Sequence, residues 1–89
     1  KTKVLLNQKK YIAGSACLSF GKLPIAFKNC KHNFNLSLSE NLFEASHLLY
    51  EGLRYLDKFD LKFIQVLPIP NIGIGKALND RLKRASFNE

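Results

Sequence analysis

The chain has 89 residues, of which 46% are hydrophobic and 24% charged, with five Gly and three Pro. This is the composition of one ordered domain, and a domain this small buries only about 60–65% of the surface its unfolded chain exposes, which leaves little room for a deep, walled active site. Fourteen Lys and Arg against seven Asp and Glu give a net charge of +7; residues 1–39 hold seven Lys and no acid, whereas residues 40–89 hold seven charges of each sign. Such asymmetry can mark a surface that meets phosphate, and it is equally the content of ordinary solvated faces rich in Lys.

Residues 3–7 (KVLLN) are a short apolar run ending in a turn-prone Asn, and residues 12–20 (IAGSACLSF) are small and apolar and are closed by Gly21. Both predict strands, the second chiefly in its later half. After Lys22, Leu23 and Pro24 a basic stretch, 28–33, shows no period of 2 or 3.6, and residues 34–36 then suit a brief third strand. From Ser39 the pattern changes: Leu42, Ala45, Leu49, Leu53 and Leu56 recur at three- and four-residue spacing and predict an amphipathic helix over 40–58. Ser39 is placed to cap it. Glu40 and Glu44 lie near the positive end of its dipole, Arg54 and Lys58 near the negative end.

Residues 61–67 (LKFIQVL) predict a fourth strand, stopped by Pro68, which has no N–H for a ladder. A second helix is expected over 73–86, with Ile74, Ala77, Leu78, Leu82 and Ala85 on its apolar stripe and Lys76, Asp80, Arg81, Lys83 and Arg84 around the rest. This order predicts a small α/β domain with a mostly parallel sheet, the long first helix serving as a crossover. In such a sheet ligands and partners meet the carboxyl ends of the strands, here residues 36–39 and 68–75.

Gly73-Ile74-Gly75 stands where a phosphate-cradling turn would sit, between a strand and a helix. The third Gly of a dinucleotide fingerprint is replaced by Leu78, and a P-loop is contradicted by Pro70 and Ala77, so these glycines are read as permitting a sharp turn and a close approach of helix to sheet. Cys17, Cys30, His32 and His47 match no zinc spacing; Cys17 reads as a small core residue and His47 as a partly buried residue flanking the helix stripe. No nucleophile–base set and no paired carboxylates stand out, so no catalytic, cofactor-binding or metal-binding residue is assigned. The two cysteines form neither a CxxC pair nor a disulfide framework, which leads us to expect reduced thiols and a cytoplasmic setting. The longest uncharged stretches, 11–21 and 63–75, fall short of the roughly 18 apolar residues of a membrane span, and no membrane partner is expected. A start at Lys1 and the lack of any Met lead us to expect a piece of a longer protein.

Residues 41–57, NLFEASHLLYEGLRYLD, followed by 63–87, FIQVLPIPNIGIGKALNDRLKRASF, closely resemble the C-terminal domain of long-form threonylcarbamoyl-AMP synthases, especially the alphaproteobacterial type. The shared positions include Asn41, Glu44, Arg54, Asp57, Pro68, Ile69, Pro70, Gly73, Gly75, Asn79, Asp80, Arg81 and Arg84. Residues 4–7 and 16–21 also resemble the family's first strand and its strand ending in Phe-Gly, whereas residues 22–33 match nothing in that pattern. The resemblance implies a small Rossmann-like, three-layer auxiliary domain, its sheet flanked by helices, spanning 1–89, of a bacterial enzyme. That parent enzyme is a nucleotidyltransferase that joins ATP, with Mg2+, to threonine and bicarbonate. It makes threonylcarbamoyl-AMP, which a transferase machinery delivers to tRNA as threonylcarbamoyladenosine. A YrdC-like catalytic domain and a linker would precede Lys1; the chain alone is expected to be inactive, to hold no cofactor, and to cover or regulate the cleft of that catalytic domain in cis.

Docking is expected to fall on Pro68, Pro70, Asn71, Ile72, Gly73, Gly75, Asn79 and Arg81, because two prolines fix the backbone of the strand-end loop at low entropic cost. Asn79, Asp80 and Arg81 equally suit a structural role tying the helix to that loop. Two other functions compete: a basic RNA-binding module contacting tRNA through the lysines of residues 1–39, and a stand-alone nucleotide-binding domain, which the incomplete glycine patterns disfavour.

Overall fold

The computed structural model describes residues 2–87, so Lys1, counted above among the lysines of the basic half, lies outside the described residues. Four strands, β1 (Lys3–Leu5), β2 (Ala16–Ser19), β3 (Asn33–Asn35) and β4 (Phe63–Val66), form one sheet in the order β1-β4-β2-β3, and each neighbouring pair is parallel. Helix α1 (Leu42–Asp57) connects β3 to β4, and α2 (Ile74–Phe87) follows β4 and packs beside β1. The small α/β domain with a parallel sheet is therefore the observed fold.

Alternation along the two central strands divides the interior in two. Ala16 and Leu18 of β2 and Ile64 and Val66 of β4 face the helices, where they join Ala45, Leu49 and Leu56 of α1 and Leu78 and Leu82 of α2 in the main core. The intervening Cys17, with Leu67 just beyond β4, packs on the opposite side against Phe27. Both α-helices thus lie on one side of the sheet. The third layer is coil: residues 6–15 and 20–32, whose only helical piece is a 3₁₀ turn at Ile25–Phe27. A parallel connection ordinarily crosses over as a helix; the one between β2 and β3 does so as a coil held by a second, smaller core of Cys17, Phe27 and Leu67 with Tyr11, Leu23 and Cys30 against it.

Gln65 explains how that coil is held. Its side chain is fully buried at the centre of the sheet, on the coil side, and it hydrogen-bonds only to the coil. Its Nε2 donates to the Lys10 carbonyl at 2.7 Å and to Gln8 Oε1 at 3.0 Å, and its Oε1 accepts from the Ile12 N–H at 2.9 Å. A buried amide left unpaired would cost on the order of 1–3 kcal/mol, so the coil supplies partners the sheet does not. The other buried polar side chain of the central strands, Ser19 of β2, is satisfied inside the sheet: its hydroxyl donates to Asn33 Oδ1 of β3 at 2.9 Å.

Boundaries differ from the sequence expectation in places that have local causes. Residues 12–15 turn rather than extend, with the Ser15 N–H bonded to the Ile12 carbonyl and Gly14 at φ +86, so β2 keeps only the later half of the predicted strand. The cap of α1 is Asn41, not Ser39. Glu40 is left-handed at φ 62, which places the helix start two residues later, at Leu42; Asn41 Oδ1 then accepts from the Glu44 N–H at 3.0 Å. The buried Ser37 hydroxyl completes the cap, accepting from the Asn41 N–H at 2.9 Å and donating to Glu44 Oε1 at 2.7 Å. Gly52 lets α1 settle onto the sheet: a Cβ there would lie 2.7 Å from Phe34 Cδ1 and 3.0 Å from Leu18 Cδ1.

Replacing Gln65 with Leu strands the Ile12 N–H and the Lys10 carbonyl, partly in reach of water. A loss of about 1–3 kcal/mol in urea unfolding is expected, with faster amide exchange confined to residues 8–14.

Candidate functional site

The candidate edge is built where β4 ends. The Leu67 N–H still bonds to the Leu18 carbonyl at 3.0 Å and the Val66 carbonyl still accepts from Gln8, so the ladder runs until Pro68 removes the next donor. Ile69 drops into the main core, and Pro70, Asn71 and Ile72 emerge into solvent before Gly73, at φ +51, turns the chain into α2. Asn79, in the second turn of α2, straps the loop from inside: its Nδ2 donates to the Ile69 carbonyl at 3.0 Å and lies 3.3 Å from Asn71 Oδ1. Gly75 allows the same closure on the helix side, since a Cβ at that position would overlap the Pro70 carbonyl oxygen. The loop is therefore fixed at Ile69, Pro70 and Asn71, and Ile72 is held out at 66% exposure.

The two glycines serve this turn and not an open phosphate cradle. The Gly75 N–H already donates to the Ile72 carbonyl at 2.7 Å and the Lys76 N–H to the Gly73 carbonyl at 3.1 Å, which occupies donors that a phosphate would need at the start of α2.

Two concavities flank the strap. One, of about 530 Å³, lies outside the carboxyl ends of β1 and β4, with Leu6, Leu67 and Ile69 toward its floor and Asn71, Lys76, Asn79 and Lys83 along its walls. The other, of about 370 Å³, runs between the N-terminal halves of the helices and is lined by Phe43, His47, Ile74, Ala77 and Arg81 among others. Asn79 and Arg81 are thus separated: the first belongs to the strap, the second lies on the far side of α2 with its guanidinium 5.8 Å from the centre of the Tyr50 ring. Ile74 and Ala77, placed by periodicity on the buried stripe, are instead exposed, because α1 leaves the first turn of α2 uncovered and the two line the groove with Phe43.

Sequence reasoning missed Leu38, Phe43 and Ile74 as surface residues. They stand exposed at 73%, 62% and 41%, and with Ile72 they place four large apolar side chains at the one edge where strands end and helices begin. Phe43 carried a usable signal: it falls off the Leu42-Ala45-Leu49 stripe, so a helix reading alone turns it outward.

The candidate ligating residues do not converge. His47 is exposed, not partly buried, with Nδ1 3.0 Å from the Phe43 carbonyl; it falls one turn after Phe43, on the same side of α1 and off the buried Ala45-Leu49 stripe. His32 stacks on Phe59 at 4.0 Å between ring centres, and among the described residues no three His, Cys, Asp or Glu side chains come together. Cys17 is a core residue as expected. Burial, reinforced by the neighbouring Cys30 thiol, pushes its ionisation far above the ordinary thiol range.

Two outcomes follow from this geometry. Gly75→Ala forces the Pro70 carbonyl away, and a loss of about 1–3 kcal/mol is expected, with faster exchange across residues 69–73. Cys17 keeps its proton above its ordinary value of 9.0, where the unfolded chain loses it. Its contribution to stability is therefore full below about pH 9 and falls as pH rises further; alkylation of the folded chain at pH 8.5 should spare Cys17, and modify it once denaturant is added.

Among the described residues no helix is long and apolar enough to cross a membrane. Comparison with curated proteins finds no match. The family model for the threonylcarbamoyl-AMP synthase C-terminal domain matches residues 1–86, which takes in the strap, both concavities and also residues 22–33, where no resemblance was legible. With nearly the whole chain covered, this protein belongs to the threonylcarbamoyl-AMP synthase C-terminal domain family.

Proposed function

We propose that the chain is the auxiliary domain of a larger cytoplasmic, bacterial synthase and docks in cis against a YrdC-like catalytic domain, covering its substrate cleft and shaping how ATP, with Mg2+, threonine and bicarbonate are held there. Family membership supports the parent activity in tRNA threonylcarbamoyladenosine formation. The observation that carries docking is the apolar edge: Ile72 stands exposed on a loop that Asn79 and Gly75 hold rigid, Ile74 and Phe43 line the groove between the two helix starts, and Leu38 is exposed between β3 and α1 at the same edge. A patch of this kind is costly on a free surface, and a preformed loop loses little entropy when it is covered. The pyrophosphate-forming chemistry is assigned to the catalytic domain. This chain supplies no nucleophile or base; its contribution is to exclude water and fix the cleft.

The test compares three proteins for pyrophosphate and threonylcarbamoyl-AMP formation: the full-length parent, the parent cut before Lys1, and the present chain. Activity that falls on truncation, with none in the chain alone, is expected. In the full-length parent, Ile72→Ala combined with Asn71→Ala should lower activity and raise amide exchange at the covered edge. Unchanged activity and unchanged exchange would show that this loop is not the docking surface.

A further inference from the structure

The fold turns the charge asymmetry of the sequence into an asymmetry between layers. The coil layer over the second side of the sheet carries Lys9, Lys10, Lys22, Lys28 and Lys31, all exposed, and contains no acid. The helix layer carries Glu44, Glu51, Asp57 and Asp80 among its own cations. Among the described residues the one salt bridge is Arg84–Asp80 in α2, so none of the five coil lysines is neutralised by a carboxylate within 4.0 Å. A solvated face of ordinary composition mixes both signs; this layer contributes cations alone, and the Glu40 carboxylate that packs against Gly21 at its rim comes from the segment between β3 and α1.

We propose that this coil layer is a binding surface for the phosphate backbone of RNA, on the side of the domain opposite the helices and independent of the docking edge. Three observations favour RNA over other polyanions. The lysines are distributed along the layer, which suits a repeating phosphate and not a single anionic group. Lys22 and Lys28 rim one shallow groove over Leu23, Pro24 and Ile25, while Lys31 shares another with Tyr11, Asn29 and His32. That second groove sets a phenol and an imidazole, the latter fixed by stacking on Phe59, beside a cation and an amide, the combination that receives an unstacked base. The layer is also preorganised despite its lack of regular structure, because Gln65 holds the segment bearing Lys9 and Lys10 through bonds to Gln8, Lys10 and Ile12, and Tyr11 packs edge-on against the buried Phe27 at 6.0 Å.

The experiment measures binding of an unmodified tRNA transcript to the chain by fluorescence anisotropy from 50 to 200 mM salt. Lys22→Glu with Lys28→Glu is compared with Lys62→Glu with Lys83→Glu, which changes net charge equally outside the coil layer. The coil pair should weaken binding at least about tenfold at 50 mM salt and flatten the slope of log K against log salt by about 1.4–1.8, the amount for two lost phosphate contacts; the control pair should change each far less. Gln65→Leu, which keeps every charge, should weaken binding by loosening the layer. Equal losses from both pairs would mean diffuse attraction to a basic protein and would overturn the proposal. So would an absence of binding at 50 mM salt. A coil pair that leaves RNA binding intact but releases the chain from an acidic protein surface would assign the layer to a protein partner instead.

Discussion

The buried amide of Gln65 decides what kind of layer covers half of this domain. In a parallel sheet between two helix layers, a central strand is apolar on both faces. Here β4 keeps that character only toward the helices, through Ile64 and Val66, and places a polar group on the other side. A carboxamide at zero exposure has to be satisfied, and helices, whose backbone groups are already paired, offer little to it. Coil has free carbonyls and N–H groups, and residues 8–12 bring them to Gln65. The second core of Cys17, Phe27 and Leu67 then fills the space left beneath the coil. A layer without regular structure is ordered by one side chain and a small apolar cluster.

The opposite requirement shapes the carboxyl edge. There the backbone is drawn inward by Ile69 and held by Asn79, and the close fit of Gly75 to the Pro70 carbonyl admits no side chain. Ordering the loop this tightly commits Ile72 to solvent. The neighbouring Phe43, Ile74 and Leu38 are exposed for a related reason: each lies beside a helix start or a strand end, past the reach of the core. The domain thus presents an apolar edge and a basic face as separate features of its surface.

Much of this was legible in the residues. The spacing of Leu42, Ala45, Leu49, Leu53 and Leu56 predicts α1 to within two residues, because the period of a helix is written directly in which positions must be apolar. The PIPNIGIG segment and its following Asn-Asp-Arg carry the family, and Asn79 proved to be the tie between helix and loop that its position allowed. Less visible were features that depend on what a residue faces. Ser39 and Asn41 are both good caps, and the left-handed backbone of Glu40 together with the Ser37 hydroxyl selected the second. Ile74 and Ala77 fit the apolar stripe of α2 perfectly well; only the length and placement of α1 left them uncovered.

By itself, the sequence determined the elements, their order, the parallel α/β class and the family, since each rests on local periodicity or on a contiguous motif. Tertiary structure alone decided the strand order β1-β4-β2-β3, the gathering of both helices on one side, and the conversion of a lysine-rich half-chain into a single basic layer. Those outcomes depend on pairings between residues far apart in the chain, such as Val4 with Ile64 in the ladder and Gln65 with Gln8 across the coil, and on competition between burial and hydrogen bonding that no local window contains.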